Sequence, residues 1–407
     1  METDVCVVGG GPAGLVLGLL LARAGLRTAV LEKHDTFLRD FRGDTVHPST
    51  LDVLDELGLG PDAELLPHRK VTSLRATFAD GTYRLADFSR LRVAHPYLMF
   101  VPQWDFLELV AKQAAQYPDF TLLRSHEAVD LLRDVNGRVT GVRADGPGGP
   151  VEIAARLTVG ADGRHSVIRE RTGLPVRDFG APMDVLWFRL PRRRADGTGL
   201  EFQVGAGRLM IGIDRGDYWQ IAYLIPKGGY DRVVAAGLAA FRDSVATLTP
   251  ALADRVDQIA DWDAVKVLTV QLNRLHRWHA PGVLLIGDAA HAMSPVGGVG
   301  INLAVQDAVA TARLLAPALA ENRLTDTDLD RVRRRRWLPT AGTQFAQRVI
   351  QRAVIGRLLA TGRPVPAPLP VRLLKRFPAL QALPARAVGL GLRPEHVGSP
   401  ERTGSPR

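Results

Sequence analysis

The sequence predicts an α/β fold: a discontinuous Rossmann-like dinucleotide-binding domain with an inserted antiparallel β-sheet, followed by a C-terminal helical segment. Three observations predict it. The chain opens on a strand, a glycine turn, a helix and a second strand. Alternating strands then fill residues 180–270, and an apolar strand, a glycine-rich turn and a long helix return at 283–319. Because the first pattern stops and later resumes, we expect the first domain to be discontinuous.

Residues 4–33 contain the dinucleotide motif. Val5–Val8 form the apolar run of a buried parallel strand. The next turn has G-x-G-x-x-G spacing, which brings a helix N-terminus to a pyrophosphate. Glu32 ends the second strand, beside Lys33, where a carboxylate can bind a ribose 2′-hydroxyl; this favours FAD or NAD over NADP. A purely structural glycine turn is the alternative. The residues assigned to the turn are Gly9, Gly11, Pro12, Ala13 and Gly14.

The remaining elements follow from hydrophobic periodicity and turn residues. Helices are predicted over 48–57, 104–116, 301–319 and 331–360, the last followed by a Pro-rich linker at 364–370. A hairpin is predicted over 71–88, and a flexible loop over 146–150. The predicted strands of the first domain lie at 120–124, 128–133, 138–144, 157–160 and 283–286. Those of the inserted sheet are Asp184–Leu190, Leu200–Val204, Leu209–Asp214 and Tyr218–Ile225.

Composition indicates a multidomain cytoplasmic protein. The chain has 407 residues, 46% of them hydrophobic, enough for a large core. Its one cysteine, Cys6, lies in the first strand, so we expect a packed thiol, no intramolecular disulfide and a reducing compartment. We find no leader and no uninterrupted apolar run of about 18 residues, so we expect neither a signal peptide nor a spanning helix.

The positive charge is concentrated at the C-terminus. The net charge is +9, yet residues 331–407 contain 16 Lys or Arg and two acids. We therefore do not expect nucleic acid as a partner of the dinucleotide-binding body. Arg372, Lys375 and Arg376 lie among apolar residues and could rest on an anionic membrane, giving access to a lipophilic substrate. We favour the alternative, a helix packed on the body with its cations solvated.

Three separated segments resemble one family. The opening motif, Thr158–Arg169 (TVGADGRHSVIR) and Gly287–Asn302 (GDAAHAMSPVGGVGIN) together resemble the single-component, class A flavoprotein aromatic hydroxylases of the p-hydroxybenzoate hydroxylase type. The resemblance spans residues 1 to about 320. It implies FAD as the resident cofactor and NADH or NADPH as a transient reductant, so the opening domain is an FAD-binding domain.

The resemblance also implies which residues hold FAD. Glu32 and the glycine turn would bind the ADP half, and Asp162 would belong to a segment that serves both FAD and NAD(P)H. Asp288 would bind the flavin-side sugar chain, although strand-end aspartates often only cap backbone. Pro295 would lie beside the reactive flavin carbon, and a helix N-terminus would lie beneath the ring. The remaining implied contacts are Lys33, Arg42, Gln103, Gly298, Gly300, Ile301 and Asn302.

The implied reaction is monooxygenation. NAD(P)H would reduce the flavin, O2 would add to form a hydroperoxide, and an electron-rich, aromatic small molecule would be hydroxylated in secondary metabolism or aromatic catabolism. We predict a substrate pocket on the inserted sheet; a one-residue error in strand phase would bring Trp219, Ile221 and Tyr223 there instead. The predicted pocket residues are Trp187, Gln203, Met210, Gln220 and Ala222.

Catalytic residues remain unassigned. His47 and His291 titrate near neutrality, but isolated histidines usually make structural hydrogen bonds. Arg189 and Arg215 are the only candidate anion clamps on these strands, and we expect both to be solvated. No spacing of His, Cys or carboxylates predicts a metal site.

Two alternatives remain open. A related flavoenzyme could act as a reductase on prenyl chains or as a halogenase, for which Lys70 would be the candidate lysine, although the tryptophan-rich halogenase motif is not matched. A non-catalytic flavin-binding protein could act through its basic tail. We divide the chain into an FAD-binding domain (1–70, 100–178 and 271–330), a substrate domain (71–99 and 179–270) and a basic C-terminal helix and tail (331–407).

Overall fold

Two large β-sheets organise the computed structural model, which describes residues 1–38, 44–197 and 199–401. The helices of these residues are α1 (Pro12–Arg23), α2 (Pro48–Glu56), α3 (Gly60–Leu65), α4 (Gln103–Ala114), α5 (Val167–Thr172), α6 (Tyr230–Ala236), α7 (Leu238–Leu248), α8 (Gly300–Ala320), α9 (Asp326–Ile350), α10 (Gly356–Ala360), α11 (Leu369–Arg376) and α12 (Ala382–Gly389). The first ten strands are β1 (Glu2–Val8), β2 (Thr28–Glu32), β3 (Thr45–Val46), β4 (Arg69–Val71), β5 (Ser73–Phe78), β6 (Gly81–Asp87), β7 (Leu98–Phe100), β8 (Phe120–Arg124), β9 (Glu127–Arg133) and β10 (Val139–Gly146). The others are β11 (Gly149–Gly160), β12 (Val176–Asp178), β13 (Met183–Pro191), β14 (Leu200–Gly205), β15 (Arg208–Asp214), β16 (Tyr218–Pro226), β17 (Lys266–Leu268), β18 (Asn273–Leu275), β19 (His279–Ala280) and β20 (Val283–Leu285).

The first sheet has the predicted Rossmann-like core. Its strand order is β19-β20-β11-β1-β2-β8, and the pairs from β20 to β8 are parallel. Val5–Val8 are buried, as expected for a strand covered on both faces. Because parallel strands end at the same edge, the turns after β1, β2, β11 and β20 lie side by side. This edge is the first half of the candidate site.

The second sheet has seven strands, in the order β17-β13-β16-β15-β14-β5-β6. The four predicted strands of the insertion are present, and the hairpin of β5 and β6 joins them through a parallel pairing of β5 with β14. Leu186 and Ile221 pack on one face against Phe241 and Val245 of α7. Neither α6 nor α7 was anticipated within the strand-rich insertion.

One loop prediction was wrong. Residues 146–150, expected to be a flexible loop, form the tight turn between β10 and β11, and β11 begins at Gly149 rather than at 157. Gly149 has a φ of +102°, a conformation that glycine adopts without strain. The alternating residues that follow pair with β10, which extends the strand to 12 residues.

The C-terminal region packs against both sheets. Ile355 and Leu358 are buried against the second sheet. Glu395 and Arg336 are both 1% exposed. The Pro-rich linker is also shorter than predicted, because α11 begins at Leu369. Val296–Ala320, which includes α8, has the length and apolar composition of a membrane span, but 72% of its most apolar stretch is buried inside the protein.

Candidate cofactor and substrate site

The glycine turn after β1 has the shape of a phosphate cradle. A Cβ on Gly9 would lie 2.5 Å from the carbonyl oxygen of Ala161, and one on Gly14 would lie 1.9 Å from that of Gly9. Both positions therefore require glycine. A Cβ on Gly11 would meet no described atom within 4 Å, and α1 begins at the next residue, Pro12. The open space in front of this helix N-terminus fits a pyrophosphate.

Glu32 lies beside this turn at the end of β2. Its Oε2 accepts a hydrogen bond from the backbone N–H of Gly10 at 3.2 Å, and its Oε1 accepts one from that of His34 at 3.0 Å. These backbone donors hold the carboxylate where a ribose-binding acid is needed. Lys33 is more than half exposed and pairs with Glu127 at 3.5 Å. Its predicted cofactor contact therefore competes with a surface ion pair.

Asp162 follows β11 and caps α5. Its carboxylate accepts hydrogen bonds from Ser166 Oγ at 2.6 Å and from the backbone N–H of Ile168 at 3.1 Å. Burial raises the pKa of this carboxyl, while these hydrogen bonds oppose the shift. The capping role that strand-end aspartates often have is therefore present, and the cofactor role stays a prediction.

The turn after β20 abuts the first turn. A Cβ on Gly287, whose φ is +58°, would lie 3.3 Å from Cβ of Ala13. Asp288 follows, and its Oδ2 lies 3.5 Å from Nη2 of Arg164. Arg169 donates to the carbonyl oxygens of Asp288 and Ala289, at 3.4 and 3.2 Å. The three motifs of the sequence therefore meet at one sheet edge.

The loop before α8 presents a helix N-terminus. Pro295 begins it, Gly298 has a φ of +64°, and α8 starts at Gly300. The first backbone N–H groups of a helix, here those of Gly300, Ile301 and Asn302, have no intrahelical acceptor. A Cβ on Gly300 would meet no described atom within 4 Å. An electron-rich ring system fits this end of the helix, because the helix dipole favours negative charge there.

Side chains from α2 anchor this helix end. The Oδ1 of Asn302 accepts hydrogen bonds from Ser49 Oγ at 2.9 Å and from Thr50 Oγ1 at 2.7 Å. His47 is fully buried, and its Nε2 lies 3.3 Å from the carbonyl oxygen of Gly297. Burial lowers the pKa of His47 to about 4, so the ring is neutral at physiological pH. His47 therefore has a structural role, because its fully buried, neutral imidazole packs against the loop.

Asp44 links the two halves of the site, and sequence analysis missed it. Its Oδ1 accepts a hydrogen bond from the backbone N–H of Gln103 at 3.3 Å, and its carboxylate forms an ion pair with Arg215. Arg215 Nε donates to Gln220 Oε1 at 2.9 Å. The Arg215 side chain is 7% exposed, so the expectation that it is solvated was wrong. Arg42 lies outside the described residues.

Three of the five predicted pocket residues share a face of the second sheet. Trp187 is paired with Ala222 across β13 and β16, and Gln220 lies two residues from Ala222. Val296, next to Pro295, packs in the same apolar cluster as Trp187 and Ala222. This face of the sheet therefore meets the loop that precedes α8.

The prediction that Gln203 and Met210 lie on this face of the sheet was wrong. They are cross-strand partners on β14 and β15, and Met210 is paired with Tyr223, so both lie on the opposite face. Met210 is buried in the cluster that α7 covers. The phase of these two strands was misjudged by one residue, which exchanges the faces. Phe202 and Ile211 take their place on the face of Ala222.

The other sequence candidates have structural partners. His291 is buried, and its Nε2 lies 2.6 Å from Asp307 Oδ2. Lys70 donates to Glu64 Oε2 at 2.6 Å, and this hydrogen bond raises the pKa of the lysine. Arg189 is exposed, with its guanidinium 4.9 Å from the ring centroid of Tyr218. Within the described ranges, no cluster of three or more His, Cys, Asp or Glu could hold a metal ion.

The chain is similar to several proteins of known function. The sequence model of a family described as FAD binding domain matches residues 2–346. The 6-methylpretetramide 4-monooxygenase of Streptomyces rimosus is 33% identical over 94% of this chain and 91% of that protein. The para-nitrophenol 4-monooxygenase of a Pseudomonas species is 28% identical over 80% of this chain and 81% of that protein. The solved structure of the anhydrotetracycline hydroxylase OxyS from Streptomyces rimosus has a TM-score of 0.72 and 26% identity, covering 98% of this chain and 78% of that one.

Proposed function

This chain belongs to the FAD binding domain family and is an FAD-dependent monooxygenase, and on that premise we propose that it hydroxylates a polycyclic, phenolic compound of the aromatic polyketide class. NADH or NADPH is the proposed reductant. The relatives named for reactions on pretetramide and anhydrotetracycline skeletons support this substrate class. The proposed setting is secondary metabolism in the cytoplasm, with a small molecule and O2 as the only reaction partners.

One observation supports the site of hydroxylation. Val296 lies in the loop before α8 and packs in one cluster with Trp187 and Ala222 of the second sheet. The end of the molecule suited to the flavin and the predicted substrate face are therefore in contact. An aromatic substrate between them would be held by apolar surface, with water excluded.

The FAD-binding role assigned to the first sheet rests on the shape of its edge. Glu32 and the turn from Gly9 to Gly14 would hold the ADP half, and the N-terminal end of α8 would lie at the flavin. When bound, FAD supplies the redox chemistry through which O2 is activated and one oxygen atom is transferred. The chain itself orients the substrate and keeps water out, tasks that need no nucleophile.

Trp187 is the proposed polar anchor of the substrate. Its Nε1 is buried and has no hydrogen-bond partner among the described residues. A buried indole N–H normally finds an acceptor, and a phenolic or quinoid oxygen would supply one. The neighbouring residues on this face, Phe202, Ile211 and Ala222, offer apolar contact only. An indole donor on a largely apolar wall, with Gln220 on the same face, suits a flat ring system with few polar groups.

The test is a substrate screen on the FAD-loaded enzyme. We expect polycyclic phenols to accelerate NAD(P)H oxidation and to gain one atom of 18O from labelled O2, measured by mass spectrometry. Trp187→Phe, which removes the N–H donor, should raise KM with little change in stability. Trp219→Phe on the opposite face of the sheet is the matched control and should leave KM unchanged. Flavin-loaded enzyme that no phenolic, anthranilate or polyketide compound stimulates would contradict the proposal.

A further inference from the structure

Three arginines converge on one aromatic ring beside α9. The guanidinium carbons of Arg177, Arg274 and Arg348 lie 5.2, 5.3 and 4.8 Å from the ring centroid of Phe179. Arg177 and Arg274 are direct partners across β12 and β18, an arrangement of like charges that destabilises a strand pair. We call these three residues the arginine cluster.

The arginine cluster has no counterion in the described part of the chain. None of its three guanidiniums lies within 4.0 Å of a carboxylate there. The nearest acid in sequence, Asp178, instead accepts a hydrogen bond from the backbone N–H of Gly180 at 2.9 Å. Nε of Arg348 is buried and has no hydrogen-bond partner among the residues that the structure describes. Burial lowers the pKa of Arg274, and Arg177 and Arg348 lower it further.

The arginine cluster lies next to the loop that precedes α8. Arg274 Nη1 donates to Gln344 Oε1 at 3.0 Å, and Gln344 Nε2 donates to the carbonyl oxygen of Ala292 at 3.2 Å. Gln347, the neighbour of Arg348 on α9, donates to the carbonyl oxygens of Ser294 and Val296 at 2.9 and 2.8 Å. One glutamine side chain therefore separates Arg274 from the loop proposed to face the flavin, and the residue that precedes Arg348 on α9 is bonded to the same loop.

The arginine cluster is also accessible from solvent. Arg177 is exposed, and the guanidinium of Arg274 also lies 5.3 Å from the ring centroid of Trp337, which is 42% exposed. An accessible site suits a ligand that binds and leaves in every turnover. A resident cofactor would instead be enclosed, as at the turns of the first sheet.

We propose that Arg177, Arg274 and Arg348 bind the phosphate groups of the nicotinamide dinucleotide that reduces the flavin. Arginine forks match phosphate geometry, and this ligand is the one strongly anionic reactant that must come and go near this loop. Three guanidiniums exceed the two charges of a pyrophosphate, so the cluster favours NADPH, whose 2′-phosphate adds further charge, over NADH. The assignment rests on the proposed use of a nicotinamide reductant.

The test compares two reductants in the reductive half-reaction, followed by stopped-flow bleaching of the flavin. NADPH carries the phosphates, whereas 1-benzyl-1,4-dihydronicotinamide has the reacting ring and no phosphate. Arg177→Gln and Arg348→Gln should each raise the apparent Kd for NADPH about tenfold, the loss expected for one charge-assisted contact, and the double variant more. Reduction by the benzyl compound should not change.

Controls separate this proposal from the proposed function. Arg334→Gln removes the same charge from an exposed position on α9 and should leave the Kd for NADPH unchanged. Inorganic pyrophosphate should compete with NADPH in wild type, and less in the double variant. An unchanged Kd for NADPH in the double variant, or an equal loss with the benzyl compound, would overturn the site. Wild-type flavin that only the benzyl compound reduces would instead overturn the nicotinamide dinucleotide as reductant.

Discussion

At the scale of single residues, substitutions of Gly11 and Gly14 should distinguish an effect on cofactor binding from an effect on folding. A Cβ on Gly14 would overlap the carbonyl oxygen of Gly9, whereas one on Gly11, whose φ is −80°, would meet only open space. We expect Gly11→Ala to change apoprotein stability by only about 0.5 kcal/mol. It should nevertheless weaken FAD binding strongly, because the methyl group would fill the pyrophosphate cradle.

Gly14→Ala serves as the matched comparison. It should lower the thermal midpoint of the apoprotein itself, because the turn cannot close without moving backbone. Thermal unfolding of both apoproteins and FAD titration by fluorescence quenching would measure the two effects. A Gly11→Ala variant that binds FAD like wild type would contradict the assignment of this turn.

His47 makes stability depend on pH. Burial holds its pKa at about 4 in the folded protein, compared with 6.5 ordinarily. The unfolded chain therefore takes up a proton as pH falls below 6.5, while the folded protein does not. The stabilising contribution is fully present above pH 6.5 and is lost as pH falls towards 4. The loss amounts to about 2 kcal/mol at pH 5.

Urea unfolding at pH 8 and pH 5 tests this prediction. His47→Gln should lose less stability than wild type between these two pH values, by about 2 kcal/mol. His276→Gln, at an exposed position, should behave like wild type. Equal pH dependence of wild type and His47→Gln would show that the buried imidazole is not the cause.

At the residue level, the sequence predicted placement where local chain geometry determines it. The spacing of Gly9, Gly14 and Glu32 could be interpreted from sequence because the turn makes its contacts within one βαβ unit. Asp44 gave no such signal, since its partner Arg215 lies 171 residues away. Asp162 shows a third outcome, because its capping hydrogen bonds were foreseen as an alternative while its cofactor role stays a prediction.

At the scale of secondary structure elements, strand phase determined which of the predicted pocket residues share one face of the second sheet. On β16 the choice of Gln220 and Ala222 agrees with the face that carries Trp187. On β14 and β15 both faces carry apolar residues, so alternation alone did not show that Met210 faces α7. The sequence had not predicted α7, which covers this face. Without that helix, nothing indicated which face of the strand is buried.

The C-terminal helix and tail enclose a buried charge network behind the site. Asp307 Oδ2 accepts a hydrogen bond from the backbone N–H of Gly287 at 3.0 Å, and its Oδ1 accepts one from Arg336 Nε at 2.9 Å. Arg336 Nη1 in turn lies 3.3 Å from Glu395 Oε1. Although burial opposes it, the charges of His291 and Arg336 hold the pKa of Asp307 below its usual value. The tail is therefore linked to the turn after β20.

Removing the charge of Glu395, the acid at the end of this network, should destabilise the folded protein. Glu395 is buried against Arg336 and also pairs with Arg313 and Arg335, each at 2.6 Å. We expect Glu395→Gln to lower the free energy of unfolding by about 3 kcal/mol, because it leaves a buried guanidinium poorly compensated. Chemical denaturation would measure the loss.

An exposed ion pair is the control for this change. Glu401→Gln removes a carboxylate whose side chain is 53% exposed and which pairs with Arg23 at 2.6 Å. This substitution should lower the free energy of unfolding by less than about 1 kcal/mol. Similar losses for the two variants would mean that Glu395 is not enclosed as described.

At the scale of the whole molecule, a buried ion pair joins the segment that precedes β3 to the second sheet. Asp44 directly precedes β3, and its carboxylate accepts a hydrogen bond from the backbone N–H of Gln103. Arg215 directly follows β15 of the second sheet. Burial lowers the pKa of Arg215, which shows how far this guanidinium is withdrawn from water. Such a pair fixes how this segment meets the second sheet more than it adds to net stability, because desolvation offsets much of the attraction.

A double-mutant cycle should reveal the coupling between Asp44 and Arg215. Arg215→Met alone should lower the free energy of unfolding by about 3–5 kcal/mol, because it leaves the buried carboxylate of Asp44 without its cation. Asp44→Asn should relieve part of that loss in the double variant, so the two effects should fall short of additivity by at least about 1 kcal/mol. The exposed pair of Arg193 with Asp254 provides the control, and Arg193→Met should cost less than about 1 kcal/mol. Additive losses for Arg215→Met and Asp44→Asn would mean that this pair does not fix how the segment before β3 meets the second sheet.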